Sequence, residues 1–442
     1  MHRPIPHPLA VAIFAGMLQL PAQAALNAVD PGAYVPANGG FPAWYQDSHG
    51  RTLDLCLTKA VSSRVAGAPG APSYMCTLLP TPGVFDDTQP IVFPTNFPDE
   101  AFWFTADAAI VDAARGIDLS YGTAIEAAFA AEEPVEGDQV SFARVRIRVD
   151  VPTAGTYVVT HPYGVEVFDV PVAGRRAINM TRDIGIAGAG DFSGALKGDV
   201  GPFLRSVNGP YTEGNERFIG DPNLEERVTG SPFNTNYVRI EGPGGIDLRT
   251  ELFAVSGKLS EVALPTPLMP QRSTYSRHTE NGDLIAQQDI FVLAPPPPAS
   301  VTLTSQTPNL SLTEANGTGA WYAQSVLNPA AGTLVTLSAD NSVAIPTSSL
   351  TTSNVPLTDL VTITQAQYRL STGELTLVAN TSDETTPPVL TAHTGNGTLI
   401  GNLGGTGAVK TLSMTLSPIP PAKVQVTSAN GGSDTEDVVL VP

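Results

Sequence analysis

Basic residues are scarce. Against 42 Asp and Glu there are 23 Lys and Arg, and the net charge is −19. Nucleic acid needs a basic footprint for its phosphates, so that class of partner is excluded. Histidines number six in 442 residues and none stands in an H-E-x-x-H arrangement, which leaves no zinc-protease signature. A G-x-S-x-G elbow is also missing, because the nearest run, residues 190–194, has its serine displaced and lacks an identifiable base. Paired acids at Asp99-Glu100, Glu132-Glu133 and Glu225-Glu226 are adjacent. In extended chain they point to opposite faces and make no glycosidase pair by themselves. No catalytic residue is assigned, and the expectation is a protein that is not an enzyme. Beyond the N-terminus no uncharged apolar stretch has the length of a membrane span.

What the chain does have begins with an export signal. Arg3 supplies the positive end, residues 9–20 a short apolar run, and Ala22-Gln23-Ala24 an A-x-A cleavage site. A cut after Ala24 predicts a secreted protein, extracellular or periplasmic. In that oxidising compartment the two cysteines, Cys56 and Cys76, are expected to form one disulfide. A ring of that size stabilises by about 3 kcal/mol in the chain-entropy model.

Glycine and proline are abundant, 41 and 40 residues, and helix-period runs are nearly absent. That profile predicts an all-β chain of many short strands joined by turns. The clearest strand signal lies in residues 138–170. Val145, Ile147, Val149 and Val151 alternate with Arg144, Arg146, Arg148 and Asp150, which marks a strand with one buried and one wet face. Turn chemistry at residues 152–155 and a β-rich run at 156–160 then predict a hairpin. Residues 118–130 read as a strand with a helical alternative, and residues 106–115 have helix propensity. Residues 173–220 form a long glycine-rich excursion, with one helical turn expected near 192–196. A further hairpin is expected to turn at residues 371–374.

The expected organisation is a signal at 1–24, a β-rich region at 25–294 read either as one domain or as two sandwiches with a break near 173, a four-proline linker at 295–298, and modules at 299–355 and 356–442. The Gly155-Thr156-Tyr157-x-Val159 step, the proline-bounded tail and its Thr/Val strands resemble immunoglobulin-like and fibronectin-III-like β-sandwich modules of secreted bacterial proteins. Thr160-His-Pro-Tyr-Gly164 and Arg239-Ile-Glu-Gly-Pro243 resemble bacterial secreted proteins of unknown function. The resemblance implies antiparallel sandwiches in a structural, adhesive or ligand-binding extracellular role, and supplies no catalytic residue.

Three candidate sites follow. The row Arg144, Arg146, Arg148 repeats at a strand's two-residue spacing, so a linear polyanion can lie along it. The competing reading is a solvated face paired with acids such as Glu126 or Glu166. Asp183, Asp191 and Asp199, among glycines, are hard oxygen ligands suited to calcium, the one cofactor the chain suggests. They equally suit solvated turns. Trp44-Tyr45, residues 102–104 (Phe-Trp-Phe) and Trp321-Tyr322 offer sugar-stacking platforms if exposed and core aromatics if not. The partners considered are therefore an extracellular glycan or protein. The alternatives to a structural role are a glycan-binding or glycan-active N-terminal region and a calcium-stabilised surface filament.

Overall fold

A computed structural model describes residues 25–305, 308–330, 332–416 and 420–442. The expected export signal, residues 1–24, lies outside the described residues. Strands dominate, and the only helical elements described are three short 3-10 turns. Among the described residues the strand pairings are antiparallel except for two short parallel ones, Thr358–Asp359 against Met269–Glu280 and Val439–Val441 against Val361–Arg369. The all-β, multi-sandwich class read from composition is therefore observed.

The alternation at Gln139–Val151 does what it predicts. Val145, Ile147 and Val149 are fully buried in the first core, and the arginines between them are not. The strand sits in a seven-stranded sheet between Ile117–Phe129 and Gly174–Ile184. Opposite lies a four-stranded sheet in which Gly155–His161 pairs with Gly164–Val170 and Val238–Gly242. The expected hairpin is thus corrected. The turn at 152–155 carries the chain across the sandwich, from one sheet to the other. Tyr157 anchors that crossing, since its hydroxyl donates to the Thr153 carbonyl at 2.9 Å. Its ring lies where a Cβ on Gly242 would come within 2.5 Å, so a side chain there would displace it.

Residues 106–115 are corrected from helix to strand. Glu100–Asp112 pairs along its length with Ile117–Phe129, and tertiary pairing overrides alanine's helical preference. The strand expected over 118–130 is present, as is a single helical turn at Ser193–Lys197. No break occurs at 173: one core spans both sheets and a third sheet of short strands, from Leu26 to Val255. Cys56 and Cys76 are joined, and they pack with Met75 and Phe218 in a small satellite core.

The proline run is also corrected. Asp283–Leu293, before it, pairs with Ala320–Ser325, after it. Val292 and Ala294 share a core with Val301 and Leu337. The Trp321 indole N–H donates to the Pro295 carbonyl at 3.1 Å. The four prolines therefore lie inside the second sandwich. That sandwich takes Met269–Glu280 as its first long strand and ends with Leu357 in its core. A third core runs from Val361 to Val426, and its hairpin Val361–Arg369/Glu374–Thr381 turns where expected.

Candidate functional site

The aromatic pairs separate by burial. Tyr45, Trp103 and Phe104 are fully buried, and Phe102 nearly so. Trp103 meets Tyr45 and Phe41 edge-on at ring distances of 4.7 and 6.3 Å. These are core aromatics and offer no platform. Trp321 also faces inward, but Tyr322, one residue on, points the other way and is 47% exposed. Directly across the ladder stands Phe291, 40% exposed. The next strand places Arg272 opposite Phe291, with its guanidinium 4.3 Å from the ring centre.

Three adjacent strands therefore present Arg272, Phe291 and Tyr322 in one row on an outer sheet face. Directly opposed residues lie about 4.5–5.5 Å apart at Cβ, so the two aromatic side chains stand as neighbours on that face. A polar row runs beside them. Asp289 opposes Gln324, and the Gln287 amide donates to Asp289 at 2.9 Å. The local sequence explains the pattern. Ile290 and Val292 fill the core, so period two sends Phe291 and Asp289 outward. Flat apolar rings flanked by a carboxylate and amides can stack on the C–H face of a pyranose while bonding its hydroxyls.

The arginine row is uneven. Arg144 is claimed by Asp183 at 2.7 Å and Glu126 at 2.9 Å. Burial pushes the Glu126 carboxyl up to about 8 even with Arg144 beside it. Arg146 and Arg148 make no ion pair among the described residues, and their Nε atoms are buried without a hydrogen-bond partner. Partial burial and the charges of Arg146 and Arg176 push Arg148 down.

The three aspartates do not converge. Asp183 holds Arg144, Asp199 holds Arg182, and Asp191 accepts from the Ser193 hydroxyl at 2.7 Å. Among the described residues no group of three or more His, Cys, Asp or Glu is placed to hold a metal ion. His161 is fully buried, with Nδ1 3.3 Å from the Tyr121 hydroxyl. Its Nε2 lies 3.9 Å from Glu166. His161 and Arg182 hold Glu166 down to about 2. Sequence reading missed Phe291 and Arg272. The signal was there, an aromatic at an outward position of an alternating run, but its partner strand is not legible locally.

No family model and no curated protein matches the chain. Among solved structures it is similar to one reported for host cell surface retention of a 1.5-MDa bacterial ice-binding adhesin. Identity is 9% over 68% of this chain and 91% of that one, with a TM-score of 0.15. It is also similar to a Bacteroides ovatus protein, SGBP-B of a mixed-linkage glucan utilization locus, solved with a mixed-linkage heptasaccharide. Identity there is 7%, over 68% of this chain and 63% of that one, with a TM-score of 0.16. This chain thus spans less than two thirds of the second structure. Scores of this size carry no argument about the site. No helix among the described residues is long and apolar enough to cross a membrane.

Proposed function

We propose that this is an exported, non-catalytic β-sandwich protein that binds an extracellular glycan through the outer face of its second sandwich. The observation carrying the reading is the cross-strand pair Phe291–Tyr322, open to solvent, backed by Arg272 and edged by Asp289, Gln287 and Gln324. Aromatic residues left on a sheet face cost hydration of apolar area, and monomeric proteins place such patches at contact surfaces. A neutral or weakly charged polysaccharide suits this face better than a polyanion, because the row offers one cation and one carboxylate. The disulfide suits the oxidising space outside the cytoplasm.

Native gels cast with β-glucan, xylan or mannan test this. The full chain is expected to be retarded by at least one of them, and Phe291→Ala/Tyr322→Ala to run as in a plain gel. Incubation with the retarding polysaccharide should release no reducing sugar. Release that disappears on substituting a single acid would make the protein an enzyme and contradict the reading.

A further inference from the structure

A cavity of about 330 Å³ lies between the first and second sandwiches. Ligand sites for small molecules start near this size. Three arginines line it: Arg51, just after the turn that Asp47 organises, Arg205, at the start of a short strand, and Arg217. Arg51 and Arg205 are half-buried, and Arg217 is exposed. Among the described residues none of the three side chains makes a hydrogen bond or an ion pair.

The acids nearby do not serve them. Asp47 is fully buried, and its carboxylate already accepts the backbone N–H groups of His49, Arg51 and Phe203 at 2.8–3.0 Å. Glu261 also lines the cavity, but it is exposed and is not within bonding reach of an arginine. Burial, followed by the charge of Arg51, pushes Arg205 down to about 10, and burial lowers Arg51 as well. Both remain protonated at neutral pH. The fold thus holds two like charges together, partly stripped of water; the buried Asp47 carboxylate partly offsets both, but no carboxylate is ion-paired with either side chain among the described residues. That arrangement costs stability unless something neutralises it.

The rest of the lining is mixed: Gln46, Thr52, Ser260 and Thr347 are polar, and an apolar part is formed by Ile219, Leu259 and Val262 on one side and Ile345 and Pro346 on the other. The far wall, residues 344–348, belongs to the second sandwich. It is fixed by the Ile345 N–H donating to the Asn341 carbonyl at 2.9 Å and by the Thr266–Ser348 hydroxyl pair at 2.9 Å.

We infer that this cavity is a binding site for a small organic carboxylate, held by Arg51 and Arg205 with its apolar body against Ile219, Leu259 and Ile345. Guanidinium forks match a carboxylate in two-point geometry. A compact inorganic anion would leave the apolar wall uncovered. The site shares no residue with the outer face of Phe291 and Tyr322, so it stands or falls independently of the glycan reading. Because its walls come from two sandwiches, an occupant also ties them together.

Calorimetric titration of the full chain with hexanoate, its neutral isostere hexanamide, and inorganic phosphate tests the assignment. Hexanoate should bind saturably and more weakly as salt rises, and hexanamide should not bind. Arg205→Gln and Arg51→Gln should each weaken hexanoate ten-fold or more. Arg205→Lys, which keeps the charge and loses the fork, should weaken it less. Ligand-free Arg205→Gln should melt at or above the wild-type temperature, because it relieves an unpaired charge. The inference is overturned by absent hexanoate binding, by phosphate binding more tightly than hexanoate, by wild-type affinity in Arg205→Gln, or by a lower melting temperature in that variant without ligand.

Discussion

Two junctions link the three sandwiches, and each contains an arginine out of bulk water, in opposite surroundings. Between the second and third, Arg277 meets the fully buried Asp383 at 2.7 Å. Asp383 also accepts from the Tyr275 hydroxyl at 3.1 Å, and Asn430 donates to that hydroxyl at 2.8 Å. Burial pushes Asp383 up, but Arg277 and the Thr386 N–H hold it below the usual carboxylate range. Between the first and second, Arg51 and Arg205 face a cavity with no such partner. A satisfied charge in a filled joint fixes geometry, and an unsatisfied one beside empty space is available to a ligand. The same residue type is structural in one joint and receptive in the other.

The largest effect should come from breaking the filled joint. Arg277→Ala leaves Asp383 buried without its cation and should cost about 3–5 kcal/mol, measured by urea unfolding of the full chain. Arg205→Gln at the open joint should cost nothing in the same experiment. Equal losses at both would erase the distinction between the junctions.

A smaller effect contrasts buried and exposed acids. In the fold Glu126 sits near 8, raised from its ordinary 4.5. The folded protein therefore holds a proton that the unfolded chain releases, and the associated stability, present below 4.5, is lost as pH rises through 8. Glu126→Gln should gain stability relative to wild type across that window and end higher at pH 9, as melting temperatures against pH would show. The smallest effect belongs to an exposed pair. Lys423 and Asp437 meet at 2.6 Å but stand largely in water, so Lys423→Ala should change unfolding free energy by less than about 1 kcal/mol.

Local pattern was legible in most stretches, though the alanine-rich residues 106–115 suggested a helix where a strand stands. Alternation at Val145, Ile147 and Val149 marked a buried face, and two cysteines behind an expected export signal marked a disulfide. Pairing was not. Nothing in residues 152–155 distinguishes a hairpin turn from a crossing between sheets, because the choice rests on Val238–Gly242, far along the chain. The proline run read as a linker since prolines stiffen and extend a chain, yet its flanking strands pair around it. Tyr322 was legible as an aromatic beside Trp321. Its neighbour Phe291 and the Arg51–Arg205 pair depend on contacts between distant segments, which no local window contains.

The central claim is that the outer face of the second sandwich holds a glycan. Calorimetric titration of wild type and Tyr322→Ala with an oligosaccharide of the retarding polymer tests it most directly. A ten-fold or greater loss of affinity, about 1.4 kcal/mol, is predicted with the melting temperature nearly unchanged, since Tyr322 lies outside the core. Equal affinities for the two proteins would contradict it.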